Sequence, residues 1–263
     1  MKRPTCSMLL AAFVLASPVA AQSLDRRVTA IRDGNVQFTF ASRDGVCGDG
    51  TMYLRDGLGG EMRIPEGGNF TGRRSDYDWL ACVPGPVRVV VSVADRQVLH
   101  LRTYAGPTRG SLDAGRPDLG SVSVADAVDF LTGLVEEGRG RAASDAILPL
   151  VLADSTDPWP TLLRFARTAR LPQNVRSTTN FWLSRGAASK LGVTDRDETE
   201  DDEVRTQAVF ALSQQPRESA VPRLIEIVRT SRRPAVRAQA LFWLGQSGDS
   251  RATDLFEEIL RRR

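Results

Sequence analysis

His100 is the only histidine in the chain, so acid–base chemistry near neutral pH would turn on it or on a carboxylate with a shifted pKa. Val98, Arg102 and Tyr104 share its face at alternate spacing. None of these could orient an imidazole as a carboxylate does, and the residue reads as structural or solvated. The run Gly245, Gln246, Ser247, Gly248, Asp249, Ser250 invites comparison with a nucleophile elbow but lacks the Gly-x-Ser-x-Gly spacing. Gly248 reads better as a helix terminator, with Asp249 or Ser250 capping the next helix. The run from Gly45 to Gly50 could cradle a phosphate only if a helix followed it, and a strand pattern follows instead. Seven carboxylates crowd Asp195 to Glu203. A calcium loop of the EF-hand type needs glycine at its sixth position, where this chain has Glu200. The run therefore reads as a solvated loop whose acids favour the start of the next helix, with a non-standard ion site as the other reading. Arg164, Arg167, Arg223 and Arg229 lie on two helical segments away from the apolar stripe. They are candidates for contact with an acidic partner.

These sites define three functional alternatives. One is a non-enzymatic interaction scaffold. Another is a hydrolase-type enzyme using Asp49, Asp56 or His100 in the front half, and a third is an ion or ligand sensor built on the loop 195–203. No cofactor motif and no metal-ligand spacing is present, since two mature cysteines and one histidine do not complete a zinc site.

Compartment narrows the choice. Lys2 and Arg3, the apolar run Leu9 to Ala16 and the small residues before Gln22 form the pattern of a cleaved secretory leader over residues 1–21. That run is too short to span a bilayer, and the expected product is soluble and exported, periplasmic or extracellular. Without Lys2 and Arg3 the 35 basic residues become 33 against 32 acidic ones. So neutral a sum argues against nucleic acid as the partner. Cys47 and Cys82 remain after processing, an even pair that reads as one disulfide, worth about 3 to 4 kcal/mol on the chain-entropy account.

The elements that must position these residues fall into two groups. Over residues 22–104 the period is two: Val36, Phe38 and Phe40 alternate with Gln37 and Thr39. Asp33-Gly34 reads as a hairpin turn, as do the Asp-Gly pairs at 44, 49 and 56. Val87 to Val93 is apolar enough for a central strand, Ala94 to Arg96 turns the chain, and Val98 to Tyr104 returns. These predict a small antiparallel sheet whose long loop, Gly57 to Asp78, is pinned by the disulfide. Residues 105–120 carry breakers without periodicity and read as a linker.

From residue 121 the period changes to that of helices. Ser123 with Asp126 reads as a cap, Val124, Val128, Leu131, Leu134 and Val135 as a buried stripe, and Gly138 as a stop. Pro149 should kink or start a helix within 142–153. Beyond it the chain repeats itself. Val204-Arg205 recurs as Val236-Arg237, an offset of 32, and Phe210 and Leu212 recur as Phe242 and Leu244. Leu224, Ile225 and Val228 recur as Leu255, Phe256 and Ile259, an offset of 31. Earlier copies are visible in Leu162, Leu163 and Ala166, with Pro160 matching Pro222 as a first-turn proline, and in Val175-Arg176 with Phe181, Trp182 and Leu183. Two-helix units of this length bury their stripes only by stacking. Such a stack should hold Phe210 and Phe242 on its buried side, with Trp182 and Trp243 between units.

The pattern Pro234, Val236, Arg237, Ala240, Leu244, Gly245 resembles the first helix of a HEAT repeat. Other copies depart from it, with Ser213 at the glycine and Thr179 at the alanine. The resemblance implies an α-solenoid over 121–263, with second helices lining a docking face for a protein partner. The expected whole is α+β: a disulfide-tied antiparallel β domain followed by a HEAT-like helical solenoid.

Overall fold

The computed structural model describes residues 23–51, 53–59, 61–63, 82–107, 117–193 and 200–262. The leader, most of the loop from Gly57 to Asp78, residues 108–116 of the connector and the first part of the acidic run lie outside the described residues.

A short helix α1 (Leu24–Thr29) leads into β1 (Gly34–Phe40), β2 (Val46–Gly48), β3 (Tyr53–Asp56), β4 (Glu61–Arg63), β5 (Val83–Pro84), β6 (Val87–Ala94), β7 (Gln97–Ala105) and β8 (Asp118–Ser121). One sheet has the order β7-β6-β1-β8, the other β4-β3-β2-β5. All pairs are antiparallel except β1 with β8. The alternation in β1 sends Val36, Phe38 and Phe40 into the core at 0% exposure. Gln37, on the other face, is also buried, and its amide donates to Asp118 Oδ2 at 3.0 Å. That bond ties β8 to β1, so the far end of the segment read as a connector is itself a strand.

Asp33-Gly34 does not turn a hairpin. It joins α1 to β1, and Asp33 Oδ1 accepts the Asp95 amide at 2.9 Å. The β6–β7 hairpin instead turns on Asp95 (φ 47°) and Arg96 (φ 62°), both left-handed. A two-residue turn of that hand matches the twist of the flanking strands, and its strain is held by the Asp33 contact. The Asp-Gly pairs at 44, 49 and 56 do sit at bends, with glycine φ between 73° and 79°. Cys47 in β2 is bonded to Cys82, Cα to Cα 5.1 Å. Where the two sheets meet, backbones touch: a Cβ on Gly48 would lie 2.4 Å from the Ala105 carbonyl, and one on Gly106 equally close to the Gly48 carbonyl. Only glycine allows that approach.

The helices are α2 (Val124–Glu137), α3 (Ala142–Asp145), α4 (Ile147–Leu152), α5 (Trp159–Arg167), α6 (Gln173–Lys190), α7 (Glu200–Ser213), α8 (Arg217–Thr230), α9 (Pro234–Ser247) and α10 (Ser250–Arg261). The Ser123 hydroxyl accepts the Asp126 amide at 3.0 Å, and Gly138 ends α2 at φ 64°. Pro149 falls in the first turn of α4, after a break at Ala146. Pro222 is different from its expected counterpart. Pro160 is at the start of α5, but α8 begins at Arg217, which leaves Pro222 inside it without an amide for the Glu218 carbonyl.

Layers follow one another from the sheet outward. Helix α2 packs on β1, with Phe130 edge-on to Phe38 at 5.8 Å. Helix α3 covers the β7 edge, where Asp145 Oδ2 accepts the Leu101 amide at 3.2 Å. Helices α5 and α6 come next. The stack then departs from chain order, because α9 and α10 pack directly on α6 and α5, while α7 and α8 lie beyond α9. The Thr253 hydroxyl of α10 donates to Asn180 of α6 at 3.0 Å, and Phe210 of α7 lies 5.3 Å from Trp243 of α9. The last pair in sequence is therefore an inner layer. One apolar core runs through all layers, from Leu24 to Ile259.

The second-helix stripes are buried as expected, with Leu162, Leu224, Leu255 and Phe256 each exposed by at most 3%. The first-helix expectation needs correction. Phe210 is 42% and Phe242 37% exposed, and the positions that seal the stack are Val209, Ala240, Leu241 and Leu244. In each first helix the phenylalanine is one residue out of phase with the contact ridge, so the match in residue type misidentified the buried face. Trp182 is buried and Trp243 half-buried.

Candidate functional site

The front-half candidates for acid–base work are occupied and do not converge. Asp49 Oδ1 accepts the amides of Thr51 (2.8 Å) and Tyr53 (3.0 Å), and Oδ2 accepts the Thr51 hydroxyl (2.9 Å). Asp56 is wholly buried. Its Oδ1 accepts the Leu58 amide at 2.8 Å, and its Oδ2 takes Nε of Arg185, from α6, at 2.9 Å. Since Val46 pairs with Asp56 and Gly48 with Leu54, the two aspartates stand at opposite ends of the β2–β3 ladder. His100 is elsewhere, paired with Ser92 beside the bulge that ejects Leu99. Ser247 donates to the Leu244 carbonyl at 2.7 Å and accepts the Asp249 amide at 3.2 Å, as a helix-ending turn requires. Among the described residues no three of His, Cys, Asp and Glu are grouped to hold a metal ion.

The second-helix arginines form a staple across layers. Arg167 of α5 reaches Asp254 of α10 at 2.8 Å and also binds Glu257, and Arg229 of α8 reaches Glu258 of α10 at 2.8 Å. Arg164 pairs with Glu136 of α2 at 2.6 Å and lies over the Phe165 ring. Arg223 is exposed. Hydrogen bonds from Arg167 hold the Glu257 carboxyl below the usual glutamate range, and those from Arg229 and then Arg262 do the same for Glu258.

This network has a pH dependence of definite sign. A carboxyl whose pKa is depressed by folding stabilises the fold above its ordinary value, and that contribution is lost as the pH falls through the depressed one. Acidification below the ordinary glutamate pKa of about 4.3 should therefore loosen α10 from α5 and α8, by less than about 1 kcal/mol per exposed pair. Burial raises the Asp145 carboxyl and acts in the opposite sense. Comparison with Glu257→Gln/Glu258→Gln isolates the α10 part: amide exchange in α10, corrected for intrinsic rate, should rise on acidification in the parent and change less in the variant.

The first-helix side is less covered. Phe242, Trp243 and Phe210 form a contiguous aromatic row, 5.0 Å and 5.3 Å between ring centres. The indole Nε1 of Trp243 is buried without an acceptor among the described residues. Beside Phe242, between α6, α9 and the end of β3, is a cleft of about 60 Å³ lined by Leu58, Ser184, Arg185, Ala188, Val193 and Ala238. That is far below the roughly 300 Å³ at which small-molecule sites begin. On its other side Trp243 lines an open cleft of about 400 Å³ with Gln214, Arg217, Leu224 and Gln246, and the exposed aromatic edges between the two hollows are of the kind that anchor a macromolecule.

The helical geometry, with first helices side by side and second helices clipped across layers, agrees with a comparison of the sequence. Residues 195–263 match the family model for HEAT repeats. The matched HEAT repeats are α7 with α8 and α9 with α10. Helices α5 and α6 pack against them as a further pair. No curated protein and no solved structure matches the chain. HEAT repeats are a setting for protein interaction, and no helix among the described residues is long and apolar enough to cross a membrane. Arg185 and the inner position of α9 are not legible in the sequence, and Phe242, expected on the buried side of the stack, lies at its surface. The only signal for the aromatic row was the recurrence of phenylalanine beside alanine and leucine.

Proposed function

We propose that this chain is an exported, non-enzymatic scaffold that holds a protein partner against the open end of its helical stack. One end of the stack is closed by the β-sheet. At the other, α7 rests on α9 by Val209 and leaves Val204 69% and Phe210 42% exposed. That uncovered end carries the proposal, because a terminal repeat without a partner normally shows a polar outer face, and clustered exposed apolar side chains mark interaction surfaces. Export is supported by the leader pattern and by the disulfide, which belongs to an oxidising compartment. The structural uses of Asp49 and Asp56, and their separation, support a holding role over a hydrolytic one.

A photo-crosslinking residue placed at Phe210 or Phe242 of the full chain, in producing cells, should yield a discrete heavier adduct. The same residue at Asp129, on α2, should not. Phe210→Asp should weaken recovery of that partner at least roughly tenfold, as loss of an aromatic anchor does. Absence of adducts at both phenylalanines, or adducts equal to those at Asp129, counts against the open end as the docking surface.

A further inference from the structure

One face of α7 is left uncovered among the described residues, although the repeat shows what such a face is built to hold. Val204, Ala208 and Ala211 follow at spacings of four and three, which places them on one side of the helix. All three are exposed, Val204 by 69%. At an offset of 32 the same side of α9 is Val236, Ala240 and Trp243, and there it receives the α7–α8 pair. Val236 and Ala240 are buried, Trp243 lies against Phe210, and it shares a cleft with Gln215, Val221 and Leu224. Phe210 beside Trp243, and Gln215 in one cleft with Ser247, set α7 and α9 parallel. Positions therefore carry over directly from one helix to the other.

In a stack that followed chain order, α5 and α6 would sit on this face. They pack instead on the far side of α9, and α6 runs antiparallel to it: Gly245 meets Asn180 and Ser184, whereas Ala238 shares a cleft with Ala188 and Val193. The stack thus ends on a face shaped for a helix. The opposite end of the stack is closed by the sheet, and the side of α7 that answers α9, around Val209, is already used within the chain. A second copy can offer only the same stripe, so two copies can meet here only like to like, about a two-fold axis.

We propose that the Val204 stripe is a dimer interface, covered by a second copy of this chain whose α7 runs antiparallel to the first. The stripe is self-complementary in that sense. Val204 and Ala211 are seven positions apart, about two turns, so an axis midway between them, next to Ala208, seats each Val204 over Ala211 of the other copy. Alanine at the centre lets the helix axes approach to the near end of the usual range of about 8 to 10 Å. Charge agrees. Four acids, Glu200 to Glu203, occupy the first turn of α7, and exposed Arg217 follows its last. Antiparallel pairing brings acidic end to basic end and opposes the two helix dipoles, whereas parallel pairing would set four acids against four. A 14-residue helix is about 21 Å long. That is too short for the area of a permanent dimer, so the expected association is weak, half complete at about 10 to 100 μM. The proposal goes beyond the scaffold reading and does not require it. Phe210 lies six positions from Val204, about 120° round the helix, and stays clear of the second copy for a partner.

Sedimentation equilibrium of the full disulfide-bonded chain, from about 1 to 300 μM, should show the mass rising from one chain to two. Ala208→Glu, at an exposed position, should move the midpoint at least roughly tenfold higher in concentration and leave the melting temperature where it was. Oxidation reads the direction of the helices. Val204→Cys mixed with Ala211→Cys should join at least roughly tenfold faster than either joins to itself, and Asp129→Cys on α2 should not join. A mass of one chain throughout overturns the proposal, and that measurement needs no variant. So does a dimer that Ala208→Glu leaves intact, or self-joining of Val204→Cys faster than the mixed reaction, which marks a parallel pair. An adduct of another protein at Phe210, in a chain that stays single, keeps the scaffold and removes the dimer. A dimer without such an adduct keeps this interface and counts against the scaffold.

Discussion

Arg185→Ala is expected to destabilise the protein by about 3 kcal/mol, the low end of what breaking a buried ion pair costs. The pair joins the β3 end of the second sheet to α6, with Asp56 at 0% and Arg185 at 24% side-chain exposure. Truncating the arginine withdraws its guanidinium from a carboxylate that water cannot reach. The Leu58 amide and the field of Arg43 still act on Asp56, which is why the upper end of the range does not apply. Asp56→Ala should cost less, about 2 kcal/mol, since the partly exposed Arg185 can rehydrate once its carboxylate is gone. Replacing both by apolar residues of similar shape, Asp56→Leu with Arg185→Met, should recover most of the loss. Urea unfolding of the four proteins checks the order. Equal costs for the two single variants, or a double variant worse than either, would show that packing rather than charge pairing sets the effect.

That pair links residues 129 positions apart, and nothing in local periodicity could have announced it. What could be read locally was read well: the Ser123 cap, the Gly248 stop followed by the Asp249 cap, and the disulfide all depend on residues whose preferences act within a turn or two, or on a single possible pairing. The stripes of α5, α8 and α10 were legible because three apolar positions recur at helical spacing in each. The first helices were harder. Alanine, phenylalanine and leucine recur together, and the repeat itself does not say which of them meets the neighbour. In α9 the ridge is Ala240, Leu241 and Leu244, and the equivalent Ala208 of α7 is exposed because α7 ends the stack. Layer order was illegible for a related reason. Like units present like faces, so α6 could accept either α7 or α9, and the repeat itself does not distinguish them. The candidate site shows the same division: Arg167 and Arg229 correspond by repeat position and Arg164 lies near the first of them, but their acceptors on α2 and α10 belong to tertiary packing.

The order of layers makes the largest effect predictable at a residue that carries no side chain. A methyl group on Gly245 would meet Ser184 Oγ at 2.5 Å, Ser184 Cβ at 2.8 Å and the Asn180 carbonyl at 3.2 Å. Ser184 cannot easily yield, since its hydroxyl is bonded to the Phe181 carbonyl at 2.7 Å and the residue is buried. Gly245→Ala gains about 1 kcal/mol of helix propensity but should still lose about 1 to 2 kcal/mol net to overpacking. Gly245→Val has little such gain and must separate two backbones, for an expected loss above about 3 kcal/mol. Ser184→Gly, destabilising by itself, should become favourable in the Gly245→Ala background, because it vacates the space the new methyl needs. The coupling across this cycle is the decisive quantity. A cycle that closes with no coupling would mean that α9 does not rest on α6 and that the helix pairs stack in chain order, with α7 next to α6.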